Sequence, residues 1–216
     1  MLSAKLLLDR VRFLSKGFPK TRMTKLRLGV VGSGRGSNFI AIQENILKGN
    51  LDAEIVLVLS DKPSAMLERA KGYRLKALHV DPKAFGSKVD FDLELVRLLK
   101  QNNVELVILA GYMRILSDAF IEAFAGKLLN IHPSLLPLFK GLHPQRQALQ
   151  AGVKESGCTV HLVTEELDSG PILLQERVPI LPGDTEESLA TRILAKEHRI
   201  YTQAISKWMS RNHPSA

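Results

Sequence analysis

A chain of 216 residues with 45% apolar and 24% charged side chains is long enough for one domain that buries its own core without metal or disulfide. No apolar run reaches the roughly 18 residues of a membrane span, and the composition is that of an ordinary globular protein. The net charge of +8 is crowded at one end: residues 1–25 hold seven basic side chains against Asp9, leaving 23 basic and 21 acidic residues beyond them and no basic stripe interleaved with aromatics, which argues against nucleic acid as a partner.

The first 22 residues, MLSAKLLLDRVRFLSKGFPKTR, are basic and nearly free of acids, and their apolar run LLL is too short for secretion. They read as an organelle-targeting segment or as residues ahead of a translation start at Met23; the second reading is preferred, and with it a cytoplasmic location. Residues 1–25 are therefore set aside as a basic N-terminal extension, disordered, targeting or upstream of the true start, and 26–210 are taken as the folded domain. The single cysteine, Cys158, rules out an internal disulfide, agrees with a reducing compartment and reads as a small buried hydrophobe in a strand.

From Leu26 onward, short β-branched runs alternate with longer amphipathic ones. Strands are expected at 26–31, 54–60, 77–80, 104–110 and 127–132, with helices at 37–49, 65–73, 89–103 and 117–126, started by caps at Ser37 and Ser117 and followed by glycines at 49 and 126. This rhythm predicts an α/β fold: a mostly parallel twisted sheet with helices on both faces. After Pro133 it changes. A Pro/Gly-rich loop, PSLLPLFKGLHP, leads to a short helix, and GCTVHLVTEE and GPILLQERVPI then read as an antiparallel strand pair joined by a tight LDSGP turn. A final helix begins at the N-cap Thr185 and carries an apolar stripe to Met209.

Three stretches carry chemistry. GSGRGSN, residues 32–38, joins a strand to a helix, where glycines let backbone N–H groups approach an anion and the helix dipole favours negative charge. It lacks the lysine of a P-loop and the spacing of a dinucleotide fingerprint, so the phosphomonoester of a small substrate fits better than ATP or NAD. In NIHPSLLP, Asn130 and His132 are two apart on a strand and project to one face, away from Leu129 and Ile131, at a carboxyl end where open α/β sheets place ligands. An amide donor beside an imidazole suits acyl transfer to an amine; a satisfied polar pair in a core is the equal alternative. In TEELDSGP, residues 164–171, Asp168 reads as a turn former that gains chemical meaning only by meeting His132 in space. His79, His143, His161, His198 and His213 show no metal-ligand spacing and are given structural readings, so no metal is expected. No G-x-S-x-G elbow supports a serine hydrolase.

Together, GSGRGSN, LAGYMRILSDAF, GKLLNIHPSLLP, GLHPQRQAL, GCTVHLVTEELDSGPILLQ and AKEHRIY resemble the phosphoribosylglycinamide formyltransferase family over about residues 26–208, six blocks in order. The resemblance implies a single-domain formyltransferase fold that takes a formyl group from 10-formyltetrahydrofolate as co-substrate, with glycinamide ribonucleotide as acceptor, no metal, and a monomer or homodimer. It places Gly36, Ser37 and Asn38 at the substrate phosphate and Glu197 at the glycinamide ribonucleotide. It places Lys88, Met113, Arg114, Ile115 and Leu116 along the folate, with Thr164, Glu165, Glu166, Leu167 and Asp168 closing over it and Asn130 shared. Asn130, His132 and Asp168 match the catalytic trio.

Two positions depart from the pattern. Pro144 and Gln145 stand where some relatives carry a second histidine, and Leu194 stands where relatives often place a polar side chain near the phosphate, for which Lys196 or Arg35 is expected to compensate. The rival readings are formyltetrahydrofolate deformylase, which uses the same trio on water but usually carries an N-terminal regulatory domain, methionyl-tRNA formyltransferase, which would need a further RNA-binding domain, and a binder that keeps the fold without the chemistry.

Overall fold

The computed structural model describes residues 25–212, so the expectations for residues 1–24 and for His213 lie outside the described residues. The β-branched runs form strands β1 Leu26–Val31, β2 Ala53–Ser60, β3 Ala77–His79, β4 Leu106–Leu109, β5 Leu128–His132, β6 Glu155–Leu162 and β7 Ile172–Pro179. Between and after them lie helices α1 Ser37–Leu47, α2 Ala65–Gly72, α3 Lys88–Gln101, α4 Asp118–Ala123, α5 Pro144–Gln150 and α6 Glu186–Asn212. The seven strands make one sheet in the order β3-β2-β1-β4-β5-β6-β7. Pairing is parallel through β5 and antiparallel at β5–β6 and β6–β7, the mixed sheet expected from the change of rhythm after Pro133.

Alternation along each central strand divides the core into two layers. Leu28, Val30, Ile108, Leu129 and Ile131 face Phe39 and Ile42 of α1 and Leu189, Ile193, Tyr201 and Ile205 of α6. Val31, Leu57, Leu59, Val107, Leu109 and Leu128 face Phe91, Leu95 and Leu99 of α3 and Phe120 of α4. Each of these large side chains, withdrawn from water, stabilises the fold by roughly 1.5–3 kcal/mol. Asn130 and His132 share the pleat face of Leu128, so their direction follows from the apolar residues between them.

Strand order reverses at β1: the chain goes on to β2 on one side, while β4 flanks β1 on the other. Such a switch point opens a crevice at the carboxyl ends of the strands. The loops after β1, β4 and β5 all reach it.

Three local expectations are corrected. Gly36, not Ser37, is the N-cap of α1, with φ 73° and no side-chain cap; Ser37 is already helical. Ser117 does precede α4, yet its side chain makes no cap; its backbone N–H donates to Asp92 Oδ2 at 2.6 Å instead. The β6–β7 connection is no tight LDSGP turn but runs through residues 163–171, because Asp168 is drawn across the sheet end by contacts that no local turn rule contains. Thr185 caps α6 as expected, its Oγ1 accepting from Ser188 N at 3.2 Å while Thr185 N donates to Ser188 Oγ at 3.0 Å.

Candidate active site

The loop after β1 is held open by its neighbours. Ser33 N donates to Gly111 O at 3.1 Å and Met113 N donates back to Ser33 Oγ at 3.1 Å, which joins the β1 and β4 loops. Gly36 turns the chain into α1 in the left-handed region, and a Cβ there would lie 2.6 Å from Met66 Cγ, so any other residue would be strained in its backbone and crowded against Met66. Beyond it, the N–H groups of Ser37 and Asn38 open the helix, where no preceding turn supplies carbonyls to accept them. Asn38 is buried and donates through Nδ2 to Glu197 Oε2 of α6 at 2.8 Å, while its Oδ1 is buried without a partner. Burial pushes the Glu197 carboxyl above its ordinary pKa, and the Asn38 hydrogen bond offsets part of that rise.

Asn130, His132 and Asp168 come together at the end of β5. Asp168, at φ 50°, places Oδ2 3.4 Å from His132 Nδ1, and Gly141 N donates to that same oxygen at 2.9 Å. His132 Nε2 lies 2.8 Å from the carbonyl oxygen of Phe139. Each ring nitrogen therefore faces an oxygen acceptor, and both are matched only when both carry a proton. His132 and Asp168 are 6% and 8% exposed, so this pair acts in a medium that screens it little.

The remaining expected residues differ in character. Met113 and Ile115 are 65% and 68% exposed apolar side chains, and Arg114 lies over the Phe91 ring at 5.3 Å. Leu116, by contrast, has its side chain buried in the α3–α4 layer. Lys88 is the exposed first residue of α3. Thr164, Glu165, Glu166 and Leu167 form the exposed arm of the 163–171 loop. Lys140 reaches Glu166 at 3.3 Å and also Ser169, joining the two loops that flank His132; Ser169 and then Lys140 hold the Glu166 pKa down. Of the cations considered for the phosphate, Lys196 lies 3.7 Å from Glu176, whereas Arg35 is exposed on the glycine loop. Pro144 is buried at the start of α5, and Leu194 is half-buried. Cys158 is buried in β6, and that burial pushes its thiol up to about 12, far from nucleophilic.

Sequence reasoning missed one member of this cluster. His161, given a structural reading, pairs with Asn130 across β5 and β6 and sets Nε2 3.3 Å from Asn130 Nδ2. The available signal was its place in a strand antiparallel to NIH, but the register that brings 161 opposite 130 is a tertiary fact. Among the described residues no group of three or more His, Cys, Asp or Glu side chains is arranged to hold a metal ion.

A glycine loop opening a helix on one side of the switch point and an Asn-His-Asp cluster on the other define an α/β protein with a polar site at the carboxyl ends of its parallel strands. The family model described as formyl transferase matches residues 26–205. Phosphoribosylglycinamide formyltransferase of Bacillus subtilis (strain 168) is 40% identical over 188 residues, 87% of this chain and 96% of that protein. A crystal structure of glycinamide ribonucleotide transformylase 1 from Symbiobacterium toebii superposes with a TM-score of 0.83 at 50% identity, covering 84% of this chain and 86% of that one. The trifunctional purine biosynthetic protein adenosine-3 of Drosophila pseudoobscura pseudoobscura is 49% identical over 183 residues, 83% of this chain but only 13% of its own length. The chain thus spans a small part of such trifunctional relatives and nearly all of the Bacillus one. It belongs to the formyl transferase family.

Proposed function

We propose that this chain transfers the formyl group of 10-formyltetrahydrofolate to the amine of 5'-phosphoribosylglycinamide, giving formylglycinamide ribonucleotide and tetrahydrofolate in purine biosynthesis. The observation that carries this reading is the meeting of Asn130, His132 and Asp168 beside the glycine loop at one switch-point crevice. The phosphate of the ribonucleotide sits on the N–H groups of Gly36, Ser37 and Asn38, and Glu197 faces its glycinamide arm. The folate lies along Met113, Arg114 and Ile115, with Lys88 and the 164–168 arm at its edge.

When the amine nitrogen attacks the formyl carbon, a C–N bond forms and the formyl oxygen becomes negative. Asn130 donates to that oxygen, and His132, protonated and paired with Asp168, donates the second hydrogen bond in place of the one it makes to Phe139 O. Collapse breaks the bond to the folate N10, which leaves with the proton that the amine has lost; His132 is placed to move that proton. Donors already aimed at the oxyanion need little reorganisation as charge develops, and removal of one typically costs a hundredfold or more.

We further read the chain as a cytoplasmic monomer or homodimer. Among the described residues no helix is long and apolar enough to cross a membrane. Hydrolysis of formyl folate, the deformylase alternative, uses the same trio, but the similar proteins above are named for transfer.

The test follows formyl-folate consumption by absorbance with and without glycinamide ribonucleotide. Turnover only with the ribonucleotide supports transfer; equal turnover without it overturns both the transfer reading and the role of the glycine loop. His132→Ala separates enzyme from binder, with kcat expected to fall about a hundredfold or more while folate affinity is kept.

A further inference from the structure

His161 lies under the reacting face without being part of the trio. Its Nδ1 is 2.9 Å from the carbonyl oxygen of Leu162, a group that can only accept, so Nδ1 carries a proton in either charge state of the ring. The other nitrogen, Nε2, then has a proton only if the ring is charged. Burial pushes the His161 pKa down and the nearby His132 opposes charge as well, while Asp168 and the Leu162 carbonyl act the other way. A neutral ring presents a bare Nε2, which accepts and cannot donate.

The group in front of that nitrogen is the Asn130 amide, 3.3 Å away. Of its two orientations, one directs an N–H at the lone pair and the other sets oxygen against it, so the bare nitrogen selects the first. We propose that His161 is a positioning residue: its unprotonated Nε2 holds the Asn130 amide with one N–H bound and the second N–H left for the formyl oxygen. The order of control runs from the Leu162 carbonyl to the ring tautomer to the amide.

The same state keeps Asp168 available. Asp168 Oδ1 lies 3.7 Å from His161 Nε2, while Oδ2 receives Gly141 N at 2.9 Å and faces His132 Nδ1 at 3.4 Å. A charged His161 would compete with His132 for this carboxylate; a neutral one leaves the negative charge to His132. The inference rests on the transfer reading for its kinetics, whereas the proton on Nδ1 stands on geometry alone.

The test uses the whole chain in the ribonucleotide-dependent assay, with His161→Leu, His161→Gln, Asn130→Ala and the His161→Leu/Asn130→Ala pair. Loss of the acceptor is expected to lower kcat about tenfold in His161→Leu, with KM for both substrates within about twofold. His161→Gln, whose Oε1 reaches the place of Nε2, is expected to recover most of that loss. In the Asn130→Ala background, His161→Leu is expected to add no more than about twofold, because the amide it positions is gone. Full activity in His161→Leu, no recovery with glutamine, or losses that multiply would each overturn the inference. Should His161→Leu fail to fold, ¹⁵N-histidine spectra of the wild type decide: a proton on Nδ1 and a bare Nε2 near neutral pH are expected, and a doubly protonated ring or the opposite tautomer overturns it. A wild type with no ribonucleotide-dependent turnover overturns the transfer reading instead, and the ring spectrum still decides the tautomer.

Discussion

At the scale of single residues, the site is governed by what faces each titratable group. Asp168 has one oxygen shared between a backbone N–H and the His132 ring, so its charge is aimed rather than merely near. Asp168→Asn keeps an acceptor for Gly141 N but removes the charge that matches an imidazolium. Its kcat is expected to fall at least tenfold with the fold intact, checked by turnover together with circular dichroism. Glu197 obeys the reverse logic. Its folded pKa is raised above the ordinary 4.5, so above that value the unfolded chain releases its proton more readily and stability falls as pH rises through the window up to the folded pKa. Glu197→Gln, which still accepts from Asn38 Nδ2, is therefore expected to show a higher thermal midpoint than the wild type at neutral pH. That advantage should vanish below pH 4.5, while KM for the ribonucleotide rises. A midpoint difference that does not change with pH would refute the linkage.

At the scale of elements, the glycine loop proposed to hold the phosphate depends on backbone geometry more than on side chains. Gly36 sits at φ 73° with Met66 Cγ 2.6 Å from where a Cβ would be, and α2 holds the loop from the other side through Met66 N donating to Gly34 O at 3.3 Å. Gly36→Ala must shift α2 or twist the start of α1. The expected cost is about 1–3 kcal/mol of stability, read from urea unfolding, with a larger proportional loss of ribonucleotide affinity, because the N–H groups proposed to hold the phosphate move with the helix. The 163–171 connection shows the complementary case. Its composition is that of an ordinary turn, and what extends it is the reach of Asp168 to His132 and of Ser169 and Glu166 to Lys140.

At the scale of the whole molecule, α6 ties the site to the sheet. Its 27 residues run about 40 Å, from the Thr185 cap past Glu197 to Trp208, whose Nε1 donates to Gly126 O at 2.8 Å ahead of β5. Midway, the fully buried Tyr201 hydroxyl lies 2.8 Å from Leu109 O and 3.0 Å from Leu129 O, on two of the three strands that carry the cleft loops. Tyr201→Phe leaves those carbonyls without this donor in a dry interior. It is expected to destabilise by about 1–3 kcal/mol, a drop of several degrees in the thermal midpoint by calorimetry. An unchanged midpoint would mean that water replaces the hydroxyl there.

Much of the architecture was legible along the chain. The β-branched runs, the glycines after β1 and the break at Pro133 act locally, through φ/ψ preference and period-two alternation, so they set the parallel sheet, the glycine turn into α1 and the common face of Asn130 and His132 without reference to distant residues. The blocks that resemble formyl transferases added the expected roles, and the geometry left Leu116 in the core and Lys88 at the exposed start of α3. What the sequence by itself could not determine is every relation that spans the fold. The 38 to 197 bond, the meeting of 132 with 168, and His161 opposite Asn130 join residues 159, 36 and 31 positions apart. Such contacts depend on strand order, antiparallel register and helix packing, which are settled by burying both faces of the sheet at once. Only that closure decides which polar groups share a dry pocket, and hence which of them are charged, paired and aimed.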